Sequence, residues 1–594
     1  MSAHLSEYDY FDRDSNSEIR IQVTFDDLKK PELDTFASYV QDGTLTVAKV
    51  ITKGGVRYVG SRLQIPKFAE IRALGYRDQQ AEIRELRKTP DFENLEGPVN
   101  SQAAIAAMFD DFESAHPDRC ELIESEGQFL GPTNVGGGSL DNFTRFVAVP
   151  AVRDARSELT RQGAVHKLLD VLILRQLAER EDVKELNEQY ETRAAEIYSL
   201  DNLSELQELS SNISHCLHKY APGVDIEIDF SELKAPKLPT PEAVALISEE
   251  KFSCPISHVG HGVQRAVILA VLEQLAAMEA RTDDDLDGEH LGPDLILAIE
   301  EPELYLHPSR CRFLCKTLTE LAAARVDTGT QVIYTTHSPL FVSVDRFEEV
   351  RIASKQPVDD TETKQSRLHW CSLDDVVKKI ADTQDEGDGA EFDVSGFCAR
   401  SETTMTVPVN EGFFADVIVL VEGYSDAAAI ETVAHLSDSS WDENGVAVIP
   451  VQGKGNINKV FAVFESLKIP TYFCFDGDSH QQNEGQKTEN ARKNRCLLRI
   501  AGRDACDFPE SEVSDRFAVF CEDLEHELKD VDADYFASTR EAVAKKLGVA
   551  KQKDALKKPA GMRKYIELAY NDKKLPALLT EIVATVTEIR SNTP

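Results

Sequence analysis

The chain has 594 residues, 28% charged and 42% hydrophobic, a length for roughly three or four domains of ordinary globular composition. Its 104 acidic residues against 65 basic ones leave a formal charge of −39, which argues against non-specific coating of nucleic acid and leaves a metal cluster or a local basic groove as the way to hold a phosphodiester. No run of about 18 apolar residues offers a bilayer span, and the acidic N-terminus lacks the apolar segment of a secretory signal, so the cytoplasm is the default expectation.

In chain order, EIRIQVTFDDL at 18–28 alternates with period two, and LTVAKVITKGGVRYVG at 45–60 adds one or two strands around a Gly-Gly turn. A small antiparallel sheet is expected there. Residues 66–90 read as helical with a proline stop, and 101–116 as another helix. The turn-rich FLGPTNVGGGSLDNF at 129–143 lacks the lysine of GxxxxGK(S/T) and reads as a flexible loop. FVAVPAVRDARSELT at 146–160 takes a strand into a proline and a charged helical start. The long helical periodicity over 163–215 needs a partner surface, its own hairpin or a second subunit, the alternative being a solvated arm.

VDIEIDF at 224–230 is a strand by alternation. Further on, Ser257, Gly260, Gly262 and Gln264 precede a helical run over about 263–279, and a small-residue turn at a helix N-terminus suits a phosphate. DLILAIEEPELYLHP at 294–308 is an apolar strand ending in Glu300 and Glu301, and TQVIYTTHSPLFV at 330–342 ends in Thr335, Thr336 and His337. The first carboxylate can hold Mg²⁺ through water, its neighbour can polarise attacking water beside a nucleotide, and the histidine can contact a terminal phosphoryl group. The structural alternatives are that Glu303 caps the next turn and that His307 hydrogen-bonds at the surface. Two more strands, EEVRIASK and LHWCS, are followed by the acidic ADTQDEGDGAEFD at 381–393, read as a solvated loop at a module boundary.

From about residue 412 a second chemistry appears. VIVLVEGYSD at 417–426 is a hydrophobic strand delivering Glu422 and, after a glycine turn, Asp426; TYFCFDGD at 471–478 ends in Asp476 and Asp478. With a crossover helix and VAVIPVQGKGN between them, the two strands put four carboxylates on one edge of a parallel sheet. Oxygen-only ligands suit a hard cation such as Mg²⁺. The eleven cysteines lie singly, with no CxxC pair, and are expected as buried free thiols rather than disulfides or a zinc site.

In this order the motifs resemble the OLD family, ATP-dependent nucleases that fuse an ABC-type ATPase head to a Toprim domain. SHVGHGVQR at 257–265 is similar to the family's divergent signature loop, LILAIEEPELYLHP to its Walker B region, THSP at 336–339 to its switch histidine motif, and AVPAVRDAR at 148–156 to the lead into a dimerisation arm. LVEGYSD, FDGD and PVQGKGNI resemble the Toprim glutamate, DxD and glycine–lysine motifs; VFCEDLEHEL at 519–528 resembles the late acidic motif, and LKKPAG at 556–561 the terminal lysine–proline motif. The resemblance implies an α/β multidomain fold: an N-terminally truncated ABC/SMC-like ATPase head with an inserted helical dimerisation arm, and a C-terminal Toprim domain with a parallel sheet. The expected divisions are 1–150 and 223–400 for the two parts of the head, 151–222 for the arm and 412–594 for the Toprim domain.

The activity implied is metal-dependent DNA endonuclease chemistry with Mg²⁺ or Mn²⁺, two ions about 4 Å apart. Glu422, Asp476 and Asp478 are assigned to one ion and Asp426, Glu522 and Glu525 to the other, with Lys558 offsetting charge on the phosphorane. In the head, Glu300 is assigned to magnesium, Glu301 acts as catalytic acid, and Ser257, Gly260, Gly262, Gln264 and His337 face the nucleotide. The family's GxxxxGK(S/T) loop occurs nowhere in this sequence, so little or no ATP hydrolysis is expected, the loop being either lost or left off by a late start. The implied partners are DNA, a second copy of the chain through the arm, and a helicase-like protein in an antiviral system; no membrane is implied. The alternatives are a topoisomerase- or primase-type enzyme, for which neither signature is found, and a non-enzymatic DNA-binding or sensor subunit of a defence or repair complex.

Overall fold

The computed structural model describes residues 6–126, 143–151, 246–249, 252–255, 294–304, 306–323, 330–342, 344–358, 364–385, 407–439 and 441–593, with scattered positions between them. The chain divides into two units, one of Met1–Glu300 with Lys316–Tyr334, the other of Glu301–Cys315 with Thr335–Pro594. Most of the expected arm at 163–215, the 224–230 strand, and Ser257, Gly262 and Gln264 lie outside the described residues.

In the first unit the alternating segments pair as expected. β1 (Ile19–Phe25), β3 (Thr44–Thr52), β4 (Gly55–Gln64) and β5 (Glu121–Glu126) form an antiparallel sheet in that order, with the short β2 (Val40–Gln41) on β3. Thr52 faces Gly55 across the hairpin, and Gly55 takes a φ of 137°, a left-handed value that glycine adopts without strain. The helical stretch at 66–90 is two helices, Pro66–Arg72 and Tyr76–Leu86. The break falls at Gly75, which is extended and whose carbonyl accepts the Asp78 and Gln79 N–H groups at 2.9 Å, as an N-cap does. With the helix Gln102–Ala115 they enclose a small core in which Phe68 stacks on Phe109. Glu113, buried at its edge, is held by the Arg72 fork at 2.8 and 2.9 Å and by the Ile65 N–H at 2.9 Å, so its charge is paired. A second sheet has the order β10 (Thr330–Thr335), β9 (Asp294–Glu300), β6 (Thr144–Val149), with β6 and β9 parallel; β7 (Leu246–Glu249) and β8 (Phe252–Pro255) make a hairpin.

The second unit contains the hairpin of β11 (Ile352–Pro357) and β12 (Lys364–His369) and a five-stranded sheet. That sheet is built of β13 (Val417–Val421), β14 (Val446–Pro450), β15 (Thr471–Asp476), β16 (Glu512–Val513) and β17 (Phe517–Phe520), ordered β14-β13-β15-β17-β16. All its pairings are parallel except that of β16 with β17. Every residue of β13 is buried, because both faces are covered. Val417, Val419 and Val421 pack with the helices Tyr424–Leu436, Pro559–Asn571 and Ala577–Asn592, while Ile418 and Leu420 pack with Lys454–Ser466, Glu484–Ile500 and Leu373–Ala381. β14 and β15 lie on opposite sides of β13, so the strand order reverses there, and the crevice at the carboxyl ends of such strands is where open α/β sheets bind ligands.

Of the acidic segment 381–393, residues 381–385 are described. Asp385 is gripped by Arg495 and by Arg499 Nη1 (2.7 Å) on the helix Glu484–Ile500, and these guanidinium hydrogen bonds hold its carboxyl down to about 2. The nine described cysteines are all free. Among the described residues no helix is long and apolar enough to cross a membrane.

Candidate metal centre

β13 ends at Val421, and the chain passes through Glu422 and the extended Gly423 into the helix Tyr424–Leu436. Asp426, in that helix's first turn, accepts the Gly423 N–H at 2.9 Å and so caps its own helix. The Glu422 carboxylate accepts the N–H of Asp476, the last residue of β15, at 2.9 Å. One hydrogen bond therefore ties the ends of the two central strands together and aims Glu422 across the crevice.

The loop after β14 closes on the same point. Gly453, at φ 125°, donates its N–H to the Glu422 carbonyl at 2.8 Å and starts the helix whose first residue is Lys454. Lys454 is only 5% exposed; its ammonium donates to Asp478 Oδ2 at 2.5 Å and to Asn494 Oδ1 at 3.1 Å. Asn494, fully buried, donates in turn to the carbonyls of Gly477 and Asp507, each at 2.8 Å. The turn after β15 is sewn to the end of β17 by Gly477 N–H to Phe520 O (2.6 Å), Asp478 N–H to Glu522 O (2.8 Å) and Ser479 N–H to Cys521 O (3.2 Å). A Cβ on Gly477 would stand 2.5 Å from the Cys521 carbonyl oxygen, so only glycine fits. Asp478 itself sits at φ 55°, an uncommon conformation for a non-glycine residue that this scaffold enforces.

The electrostatics follow from burial. Desolvation pushes the Glu422 carboxyl up to about 7, with Lys454 opposing and the charges of Asp478 and Asp426 adding to the rise. Asp426 is pushed up to about 6, chiefly by burial, against the bond from Gly423. Asp476 lies well above the ordinary carboxylate range, first through burial and then through Glu422, Asp426, Asp523 and Asp478. A set of crowded oxygens with Lys454 as its opposing charge takes up either protons or a cation. The donor chemistry fits a hard divalent ion.

Glu422, Asp426, Asp476 and Asp478, all singled out by sequence, thus act on one another. Glu522 and Glu525 lie just beyond β17. Glu522 pairs with His526 at 3.2 Å, while Glu525 is half-buried and raised by burial and by Asp523, with Lys557 opposing. Lys558 is exposed at the N-cap of the helix Pro559–Asn571, its carbonyl accepting the Gly561 and Met562 N–H groups. Sequence reasoning missed the anchoring role of Lys454, although the glycine–lysine turn was noticed. It also missed Asn494, Asp523, His480 and His526; of these only Asp523 carried a local signal, an N-cap residue ahead of LEHEL.

Of the residues assigned to the head, Glu300 in the first unit accepts the Ala151 N–H at 3.0 Å, and Gly260 is exposed and accepts the Val263 N–H at 3.0 Å. In the second unit, Glu301 takes a φ of 41° and donates its N–H to the Thr335 carbonyl at 2.9 Å; its carboxylate is 4.0 Å from Nε2 of His337, a side chain 84% exposed. Glu303 accepts the His337 N–H at 2.8 Å, while His307 Nδ1 meets the Ser309 hydroxyl at 3.0 Å, the surface role weighed for it.

Two family models match the chain: AAA ATPase domain over residues 144–342, and "Overcoming lysogenization defect protein-like, TOPRIM domain" over 413–478. The chain is 30% identical over 245 residues to the OLD nuclease of Thermus scotoductus, covering 41% of this chain and 40% of that one. It is 21% identical over 366 residues to the Old nuclease of Escherichia phage P2, covering 58% and 56%. The matches thus span about half the length of these curated relatives or less. The solved C-terminal region of the Burkholderia pseudomallei OLD protein aligns at 17% identity, covering 30% of this chain and 99% of that one, with a TM-score of 0.22. An ATPase match is followed in the same chain by an OLD-like TOPRIM match, and OLD nucleases are among the relatives, so the chain is similar to ATPase–Toprim proteins of the OLD family.

Proposed function

We propose that the chain is a metal-dependent DNA endonuclease that hydrolyses phosphodiesters at the carboxylate cluster of its second unit. The observation that carries this reading is the joining of Glu422 to the end of β15, with Asp476 and Asp478 beside it and Lys454 buried beneath. The TOPRIM match and the names of the relatives agree with it.

Glu422, Asp476 and Asp478 would hold one Mg²⁺ or Mn²⁺, and Asp426, Glu522 and Glu525 a second. Bound there, such ions supply Lewis acidity and a water acidic enough to be a nucleophile near neutral pH. The protein's own part is positional. The Asp476 N–H fixes the direction of the Glu422 carboxylate, and Lys454 with Asn494 fixes Asp478. The covered sheet keeps bulk water from the strand side of the cluster. Lys558, on the exposed turn before its helix, would offset charge on the phosphorane as water attacks phosphorus and the 3′-oxygen leaves.

In the head, Glu300, Glu301 and His337 would face a nucleotide, with Ser257, Gly260, Gly262 and Gln264 at its phosphates. The test of the nuclease reading is nicking of supercoiled plasmid in Mg²⁺ or Mn²⁺: the native chain should nick, and Glu422→Ala should not. Retained cleavage by the purified variant sinks the assignment.

A further inference from the structure

Beside the oxygen cluster stands a group of different chemistry. His480, Glu522 and His526 each bring one ligand atom to within 4.8 Å of the others. His526 Nε2 is 3.2 Å from Glu522 Oε2, and the rings of His480 and His526 lie 4.8 Å apart at their centroids. The other nitrogen of His526 is engaged: Nδ1 lies 2.8 Å from Asp523 Oδ1, and Asp523 is itself held in place as the N-cap of the helix Leu524–Val531, accepting the His526 backbone N–H at 2.9 Å.

A carboxylate that accepts Nδ1–H fixes the tautomer and leaves the lone pair on Nε2, the outer partner found behind most metal-binding histidines. That lone pair then faces an anionic oxygen at hydrogen-bonding distance, and two acceptors so placed need a cation between them. A proton would satisfy His526 and Glu522 alone. His480 Nε2 stands 3.9 Å from Asp523 Oδ2, so both rings flank that carboxylate, and as neutral imidazoles converging with Glu522 they make a three-ligand set.

We propose that His480, Glu522 and His526 form a binding site for a first-row transition-metal ion of the Zn²⁺ type, with Asp523 as the residue that orients His526. Two nitrogens and one oxygen favour such an ion over Mg²⁺, which prefers oxygen alone. The site shares Glu522 with the nuclease reading but does not depend on it. A chain that binds Zn²⁺ through its histidines and never nicks DNA refutes the nuclease reading alone.

The test is a calorimetric Zn²⁺ titration of the metal-stripped full-length protein without DNA and in excess Mg²⁺. The expected result is a Zn²⁺ site that survives the Mg²⁺ and is lost in His526→Ala and weakened in His480→Ala. Asp523→Asn, which keeps the cap, should weaken Zn²⁺ by about 10- to 100-fold. His480 lies on the surface, so His480→Ala reads the site without threatening the fold. Unchanged Zn²⁺ affinity in both histidine variants would show that His526 forms an ion pair only and overturn the proposal.

Discussion

Glu422 is a carboxylate that the fold makes room for and then leaves short of positive charge, so its side chain should weaken the metal-free protein as it ionises. Its pKa is raised from 4.5 to about 7 by burial. A group with a higher pKa in the folded than in the unfolded chain gains protons on folding. Its stabilising contribution is complete below about pH 4.5 and is lost as the pH rises through about 7. The gap corresponds to about 3 kcal/mol. Glu422→Gln keeps an acceptor for the Asp476 N–H and removes the charge. In EDTA, it should therefore match the native chain near pH 4 and exceed it by about 3 kcal/mol at pH 8. Urea unfolding followed by Trp441 fluorescence reads this: that indole is 6% exposed in the same core as Val417 and Val421, while Trp370, 60% exposed, is replaced by Phe as background. Comparing variant with native chain cancels the pH response of the overall charge. Mg²⁺ at about 1,000 times its dissociation constant should reverse the order at pH 8, since it then adds about 4.1 kcal/mol to the form that binds it. A native–variant difference that stays flat from pH 4 to pH 8 in EDTA would refute the account.

Asp476→Asn should remove plasmid nicking as completely as Glu422→Ala, in the same assay. Lys454→Met leaves Asp478 and buried Asn494 without their cation; the expected cost is about 3–5 kcal/mol in urea unfolding at neutral pH, and a loss under about 1 kcal/mol would show that the pair is not buried as described. Gly477→Ala drives a Cβ into the Cys521 carbonyl, and about 1–3 kcal/mol of destabilisation with weakened Mg²⁺ binding is expected by calorimetry.

The parts of the fold that sequence revealed are those where burial writes a local pattern. β13 and β15 are continuous apolar runs because helices cover both faces, and their acids stand out because an apolar strand must end where charge begins. The strand β1 was legible from its alternation alone, since none of its residues is buried. What escaped depends on partners far away in the chain. Asp385 reads as part of a solvated run, yet it is bound by Arg495, 110 residues on. Asn494 lies inside a helix of unremarkable polarity, and its function exists only once Lys454 and Gly477 arrive. His480 and His526 are ordinary surface residues in sequence and become a pair only through the β15 and β17 ends. Gly75 was visible as a residue and overlooked as a stop, its capping role outweighed by the helical periodicity on either side.

The same covering of β13 sets a schedule for synthesis. Val417 and Val421 pack against Ile582 and Val586, so the face beneath Glu422 stays open until the helix Ala577–Asn592 has been made. From residue 422 to residue 592 is 170 residues, or about 10–35 s at roughly 5–20 residues per second. During that interval the nascent chain displays its acids on an unfinished sheet. The face beneath the carboxylates is thus closed last, by a helix that contributes none of them.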